Sequence, residues 1–191
     1  MEGEVTYPNR SIPRQFFRIA STMALVLCMC ESMHASLKRC DIPSLPSKVR
    51  SVLASSYQTW TPVTLDQLSS SDQEIWKERS IENCPGIVSG RFTGGTQEFV
   101  VSLIRRDGDK LYQQVVLFQA SNPSRPFILL APTEVATISV ISKVPPGEYK
   151  PAEGEKRITV RFDSVALTAL EKGTIQYYWN GRRFLSIITS E

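Results

Sequence analysis

The stretch EFVVSLIRRDGDKLYQQVVLF, residues 98–118, sets two runs of β-branched and aromatic residues on either side of Asp107–Gly108. Valine, isoleucine, phenylalanine and tyrosine suit a pleated surface, and Asp-Gly between two such runs is a strong hairpin signal. The reading is a pair of antiparallel strands, 98–104 and 111–118, joined at that turn. Working outward, the same period of two marks strands at 87–92, 127–130, 135–141, 158–162 and 164–170. The chain then closes on 175–179, Asn180–Gly181 and 182–188, where Asn and Gly tolerate the positive φ angles of a type I′ turn. Pro145, Pro146 and Gly147, with residues 151–154, flank a loop between strand groups. No unit recurs along the chain, so a propeller is not expected.

Before Cys84 the period changes to that of a helix. Val49, Val52 and Leu53 recur at helical spacing in a short helix ending near Tyr57. Trp60, Pro62 and Val63 mark an extended link, and Thr64 is a candidate N-cap for residues 65–68. Ser71 or Asp72 is the candidate cap of a second helix through Ile75, Trp76 and Arg79. Asp72, Glu74, Glu78 and Glu82 read as that helix's solvated face. The expected fold is α+β: an antiparallel sheet of about seven strands, with two short N-terminal helices packed on one face or edge. The helical segment covers 36–84 and the β domain 85–191, the two forming one globular unit over 36–191.

Arg10, Arg14 and Arg18 precede a 12-residue apolar run, 19–30, and small residues follow at Ala35 and Ser36. Basic, apolar and small regions in that order make residues 1–35 an expected signal peptide. A bilayer-spanning helix needs about 20 residues, so the run is short for a span. Two alternatives stay open: a lipid-modified Cys28 or Cys30, and a buried helix of a cytosolic protein, which Glu2 and Glu4 favour slightly. The expected location is the periplasm or the exterior. The membrane is then involved only through an uncleaved or lipidated N-terminus.

Cleavage near Ala35 leaves Cys40 and Cys84, an even number that an exported domain would pair. A bridge between them would close a loop of about 45 residues, worth roughly 4 kcal/mol in the chain-entropy model. Buried free thiols are the alternative. His34, the chain's single histidine, departs with the leader. A nucleophilic triad needs an imidazole, and zinc sites draw on His and Cys, so neither is expected. The nucleotide cradles GxGxxG and GxxxxGK[ST] are missing from the sequence. Chemistry run by carboxylates alone survives this filter, although no acidic pair stands out. The formal charge is +3 and stays +3 after residue 35, with basic residues scattered apart from Arg105–Arg106 and Arg182–Arg183. A nucleic-acid partner would call for a denser basic stripe. No cofactor is expected.

Cys84–Pro85–Gly86 followed by Gly90–Arg91–Phe92–Thr93–Gly94–Gly95 resembles uncharacterised exported bacterial proteins carrying a single FG-GAP-like or VCBS-like segment. The closing residues 177–184 also resemble the terminal hairpin of such proteins. The resemblance covers residues 76–191 and implies export, with no activity attached. Arg91 stands where that pattern has Asp, and Thr93 where Asp or Asn is common. Calcium takes six to eight oxygen ligands, several of them carboxylates. Glu98 carries the one carboxylate between Gly90 and Phe99. The segment is therefore degenerate: no metal is expected, and Gly90, Gly94 and Gly95 form a structural turn, as do Asn180 and Gly181.

The remaining distinctive group is aromatic. Tyr177, Tyr178 and Trp179 with Arg182 and Arg183 form a candidate binding surface, since Tyr, Trp and Arg anchor interfaces and stack on sugars. Packing within a terminal hairpin is the simpler reading of the same residues. The expected function is a non-enzymatic exported domain binding a macromolecule, a protein or an envelope glycan, in an inhibitor-like or immunity-like manner. A carboxylate-dependent envelope enzyme acting on glycan and a purely structural envelope protein are the alternatives.

Overall fold

The computed structural model describes residues 42–79, 84–152, 156–170 and 172–189, all within one compact unit, Lys38–Glu191. The expected leader, His34 and Cys40 lie outside the described residues.

Two helices open the unit. Helix α1, Ser47–Ser56, turns Val49 and Leu53 inward, and burying such side chains stabilises by about 1.5–3 kcal/mol each. Helix α2, Ser70–Arg79, buries Trp76. Its cap lies two residues before Ser71: the Asp72 N–H donates to Ser69 Oγ at 3.1 Å, and Ser69 Oγ donates to Asp72 Oδ2 at 2.7 Å. Between the helices the chain forms strand β1, Thr61–Pro62, and a one-turn 3-10 helix, Leu65–Gln67. The Thr64 N–H donates to Gln67 Oε1 at 2.8 Å there, so Thr64 begins the turn as its type suggests.

Ten further strands follow: β2 (Ile87–Gly90), β3 (Glu98–Asp107), β4 (Lys110–Gln119), β5 (Phe127–Glu134), β6 (Val140–Val144), β7 (Gly147–Tyr149), β8 (Ile158–Val160), β9 (Ser164–Ala169), β10 (Gly173–Trp179) and β11 (Phe184–Thr189). Every pairing is antiparallel. The class is α+β with the helices on the N-terminal side. The strands form sheets of five (β1-β3-β4-β5, with β2 also on β3), four (β11-β10-β9-β6) and two (β7-β8), rather than one sheet of about seven.

The β3–β4 hairpin explains this layering. Asp107 pairs with Lys110 across the two-residue loop Gly108–Asp109, and Gly108 has φ 59°. That closure fixes the register from Arg105↔Tyr112 to Glu98↔Gln119. Phe99, Val101, Leu103, Val116 and Phe118 then share one face and pack on Val49 and Leu53 of α1 and on Leu45 just before it. Val100, Val115 and Leu117 take the other face and meet Ile141, Val165, Leu167 and Tyr177 of the four-stranded sheet. Both faces are covered, so β3 is buried without a break from Glu98 to Ile104. Two glutamines caught in this interior, Gln113 and Gln176, are paired. Gln113 Nε2 donates to Ser102 Oγ at 2.8 Å and Ser139 O at 2.6 Å, Gln113 Oε1 accepts the Ser139 N–H at 3.0 Å, and Gln176 Nε2 donates to Ser164 Oγ at 2.8 Å.

Two segments depart from the sequence reading. The strand expected at 135–141 is β6, shifted toward the C-terminus. The Val135 N–H goes to Leu111 O at 2.8 Å and Ser139 is held by the Gln113 side chain, so this backbone does not join a ladder there. β8 falls within the strand expected at 158–162, but β7, with which it pairs, lies where a loop was expected; a run of three residues carries no period.

Candidate functional site

Four features are candidates for chemistry: the turn after β2, the tip of the terminal hairpin and two clefts.

The turn, residues 91–97, is held by carboxylates belonging to the chain. Glu98 opens β3 opposite Gly90 and Gln119 and is 1% exposed. Its Oε2 accepts the Thr93 N–H at 2.7 Å, and its Oε1 accepts Thr93 Oγ1–H at 2.6 Å and Gln119 Nε2–H at 3.1 Å. On the opposite flank Asp163 Oδ2 accepts the Arg91 N–H at 2.8 Å. Arg91 does not face these acids with its guanidinium; its Nε donates to Gly95 O at 3.0 Å, within the turn. Gly94 has φ 83°, and a Cβ there would meet the Phe162 ring. A Cβ on Gly90 would come within 2.8 Å of Asp163 Oδ2, whereas one on Gly95 meets nothing nearer than Thr93 Oγ1 at 3.9 Å. Gly90 and Gly94 are thus fixed by close approach and Gly95 is not. Phe92 and Phe99 anchor the flanks at 0% and 9% exposure. Among the described residues no group of three or more His, Cys, Asp or Glu side chains gathers in metal-binding proximity.

The terminal hairpin divides the expected binding surface. Tyr177 and Tyr178 are each 8% exposed, which corrects their reading as part of an open surface. Tyr177 lies in the core between the sheets, and burial raises its phenol above the ordinary pKa. Trp179 stays half-buried, packing on Phe184 with ring centroids 5.1 Å apart and on Phe127 of β5 at 5.6 Å. Arg182 and Arg183 are exposed, but in the turn rather than on a strand, because Trp179 pairs with Phe184. Four residues lie between those partners, not the two of a type I′ turn. Asn180 Oδ1 takes the N–H groups of Arg182 and Arg183, each at 2.9 Å, and so withholds both from the ladder.

One cleft, of about 420 Å³, lies between the start of α2, the β3–β4 turn and the end of β5. Asp72, Arg106, Asp109, Lys110 and Glu134 line it. Its acids have partners in part: Lys110 Nζ lies 3.0 Å from Glu134 Oε2, and Asp72 is bonded to Ser69. Hydrogen bonding and charge from Glu134 raise the Lys110 pKa above its ordinary value. The pair is more than half exposed, where an ion pair contributes little.

The other cleft, of about 260 Å³, lies beside α1 and is lined by Leu53, Tyr57, Trp60, Pro62 and Leu103, with Arg50 and Gln58 at its polar side. Ile42, 39% exposed, also lines it. Tyr57 stands edge-on to Phe118, centroids 6.1 Å apart, and burial raises its pKa. Next to this cleft Arg105 is sandwiched, its guanidinium carbon 5.1 Å from the Trp60 ring centre and 5.3 Å from that of Tyr112. Arg105 Nε is buried without a hydrogen bond, and the aromatic faces on either side compensate its charge. Sequence reasoning passed over this group. The Arg105–Tyr112 half was accessible from the hairpin register, because those residues face each other once Asp107 pairs with Lys110.

Cys84 Sγ lies near Val63 O at 4.0 Å and receives the Gly86 N–H at 3.4 Å, at the entry to β2. No protein-family model matches the chain, and comparison with curated proteins and with solved structures returns no match.

Proposed function

We propose that this chain is an exported, non-enzymatic domain that binds a macromolecule of the cell envelope or the exterior, with the aromatic cleft beside α1 as the binding surface. That cleft is the observation that carries the reading. It is concave and largely apolar, offers Tyr57 and Trp60 as anchors, and among the described residues has Arg50 as its one charged lining residue. Aromatic side chains and arginine dominate binding energy at interfaces, and a guanidinium beside the cleft favours an apolar group carrying an acid over a basic one. A protein or an acidic envelope glycan both meet that description. Arg50→Glu reverses the charge on an exposed helical position without touching the core. Loss of binding to immobilised envelope fractions at unchanged melting temperature supports the cleft; undiminished binding sinks it.

Export through residues 1–35 and pairing of Cys40 with Cys84 belong to the same reading. Cys84 stands at the entry to β2, where its Sγ receives the Gly86 N–H at 3.4 Å. After cleavage Cys40 is the one cysteine left for it. The likeness to exported proteins with a degenerate FG-GAP-like or VCBS-like segment points the same way. N-terminal sequencing of the secreted chain tests the leader, and non-reducing peptide mapping tests the bridge.

One observation favours a carboxylate-dependent enzyme as the second reading: Asp72, Asp109 and Glu134 line a single cleft. Against it, Glu134 is paired to Lys110 in solvent, while a catalytic acid usually needs a drier setting to hold its proton at neutral pH. Glycan hydrolysis that vanishes in Asp109→Asn would reverse this preference.

A further inference from the structure

We propose that Asn180 is a self-modifying site, at which the folded hairpin tip converts the side-chain amide to a carboxylate with water as the one co-reactant. Asparagine followed by glycine is chemically labile because the next backbone nitrogen reaches the side-chain carbonyl carbon, and glycine offers no side chain to obstruct it. Three features of this turn act on that reaction. Asn180 Oδ1 accepts two backbone N–H groups, from Arg182 and Arg183, both at 2.9 Å. Gly181 is exposed, has φ 98° and has nothing within 4 Å of the position a Cβ would occupy. Among the described residues neither the Gly181 N–H nor Asn180 Nδ2 makes a hydrogen bond, whereas the Asn180 N–H is engaged with Arg183 O at 3.1 Å. The nucleophile and the leaving group are free, and the oxygen that must accept charge is held.

The chemistry balances. The Gly181 nitrogen, having lost its proton to hydroxide, attacks Asn180 Cγ, and the electron pair of the C=O bond moves onto Oδ1. The Arg182 and Arg183 amides point at that oxygen as the two donors of an oxyanion hole do. The pair then returns, the Cγ–Nδ2 bond breaks, and Nδ2 leaves with a solvent proton as ammonia. Cγ and the Gly181 nitrogen now close a five-membered imide. Water opens it at one carbonyl to give aspartate, or at the other to give the isoaspartyl linkage. One water is consumed, one ammonia is released and nothing is oxidised or reduced.

The consequence is local and directional. A carboxylate appears next to exposed Arg182 and Arg183, lowering the chain's formal charge of +3 by one. The isoaspartyl product also lengthens the backbone by a methylene inside a four-residue loop closed by Trp179↔Phe184, directly behind which lie Trp179, Phe184 and Phe127.

The test compares the folded full chain with the same chain in concentrated urea, both in warm, mildly alkaline buffer. Conversion is read by mass spectrometry on the tryptic fragment running from Gly173, after Lys172, to Arg182. An exposed donor pair is weaker than a buried oxyanion hole, so the expected acceleration in the folded chain is about tenfold rather than a hundredfold or more. A folded rate equal to or below the unfolded rate overturns the proposal. Arg183→Pro deletes one donor and should lose most of the acceleration, read in the variant on the fragment from Gly173 to Glu191, since trypsin does not cut before proline; a folded variant that keeps it also overturns the mechanism. If that variant does not fold, the wild-type ratio alone decides.

Discussion

Glu98 is the most informative residue to change, because it distinguishes a turn stapled by its own carboxylate from a turn awaiting a cation. The carboxylate is 1% exposed and accepts three donors, two from Thr93 and one from Gln119. Hydrogen bonds to a charged group contribute about 1.5–3 kcal/mol each, and burying the ion offsets part of that. Glu98→Ala removes all three and leaves the Thr93 and Gln119 donors facing a void that water fills incompletely. The expected cost is about 3 kcal/mol, or a fall in melting temperature of about 6–12 °C for a domain of this size. Glu98→Gln should behave differently. Its carbonyl keeps the Thr93 N–H, its NH2 donates to a reoriented Thr93 hydroxyl, and the Gln119 amide flips to accept, so about 1 kcal/mol is lost. Urea denaturation of the three proteins, with and without calcium, is the assay. Gln costing as much as Ala, together with a calcium-dependent rise in wild-type melting temperature, would show that the charge serves a cation and would refute the staple. Alanine costing under about 1 kcal/mol would refute it from the other side, since that is the scale of one ordinary bond.

Three further outcomes are expected. Gly94→Ala forces a side chain to φ 83° and into the Phe162 ring, so it should destabilise by at least about 1–2 kcal/mol, while Gly95→Ala stays within about 0.5; equal effects in thermal melts would contradict the assignment. Arg105→Ala takes the cation from between Trp60 and Tyr112 and should cost about 1–2 kcal/mol with a shift in tryptophan emission, Arg105→Lys restoring part of it; unchanged stability and emission in both would show that the stack does not contribute. Burial raises the Tyr177 phenol above its ordinary 10.0, so the folded state holds that proton more tightly than the unfolded one; stability from this group is intact below pH 10 and declines as pH rises toward and through the folded pKa. Tyr177→Phe should flatten that alkaline decline in pH-dependent denaturation, and an unaltered slope would assign it to other groups.

The α+β class was legible because it depends on period alone, and β3, β4, β9 and β10 each carry enough β-branched or aromatic residues to declare theirs. The division into separate sheets was not. β3 and β4 are buried on both faces, and which partner covers each face depends on how β6 and β9 return over the hairpin, a long-range choice that leaves no mark in either strand. The terminal turn failed for a local reason of the same kind. Asn-Gly does promise a tight turn, but the Asn side chain competes with the ladder for the Arg182 and Arg183 amides and wins two bonds. Tyr177 and Tyr178 lay on opposite faces of one strand, so an open binding surface required at least one face of β10 to be uncovered; neither is at those positions.

The turn at Gly90–Phe99 shows how a loop can keep the outline of an ion site while its chemistry runs inward. In a calcium loop, carboxylates point at a shared cation and the cation neutralises their repulsion. Here the two acids never face a common centre. Glu98 collects donors from the first half of the turn and from β4, and Asp163 reaches across from the loop before β9 to the Arg91 amide. Each acid satisfies an N–H that would otherwise be left without a partner where the chain leaves β2, and the Arg91 side chain, rather than an ion, ties the turn to its own Gly95 carbonyl. Arginine at that position is therefore not simply a lost ligand. It is compatible with the turn because the acids are held apart, and an Arg91→Asp change restoring the acidic pattern would bring a carboxylate close to Asp163 without supplying a positive charge to separate them.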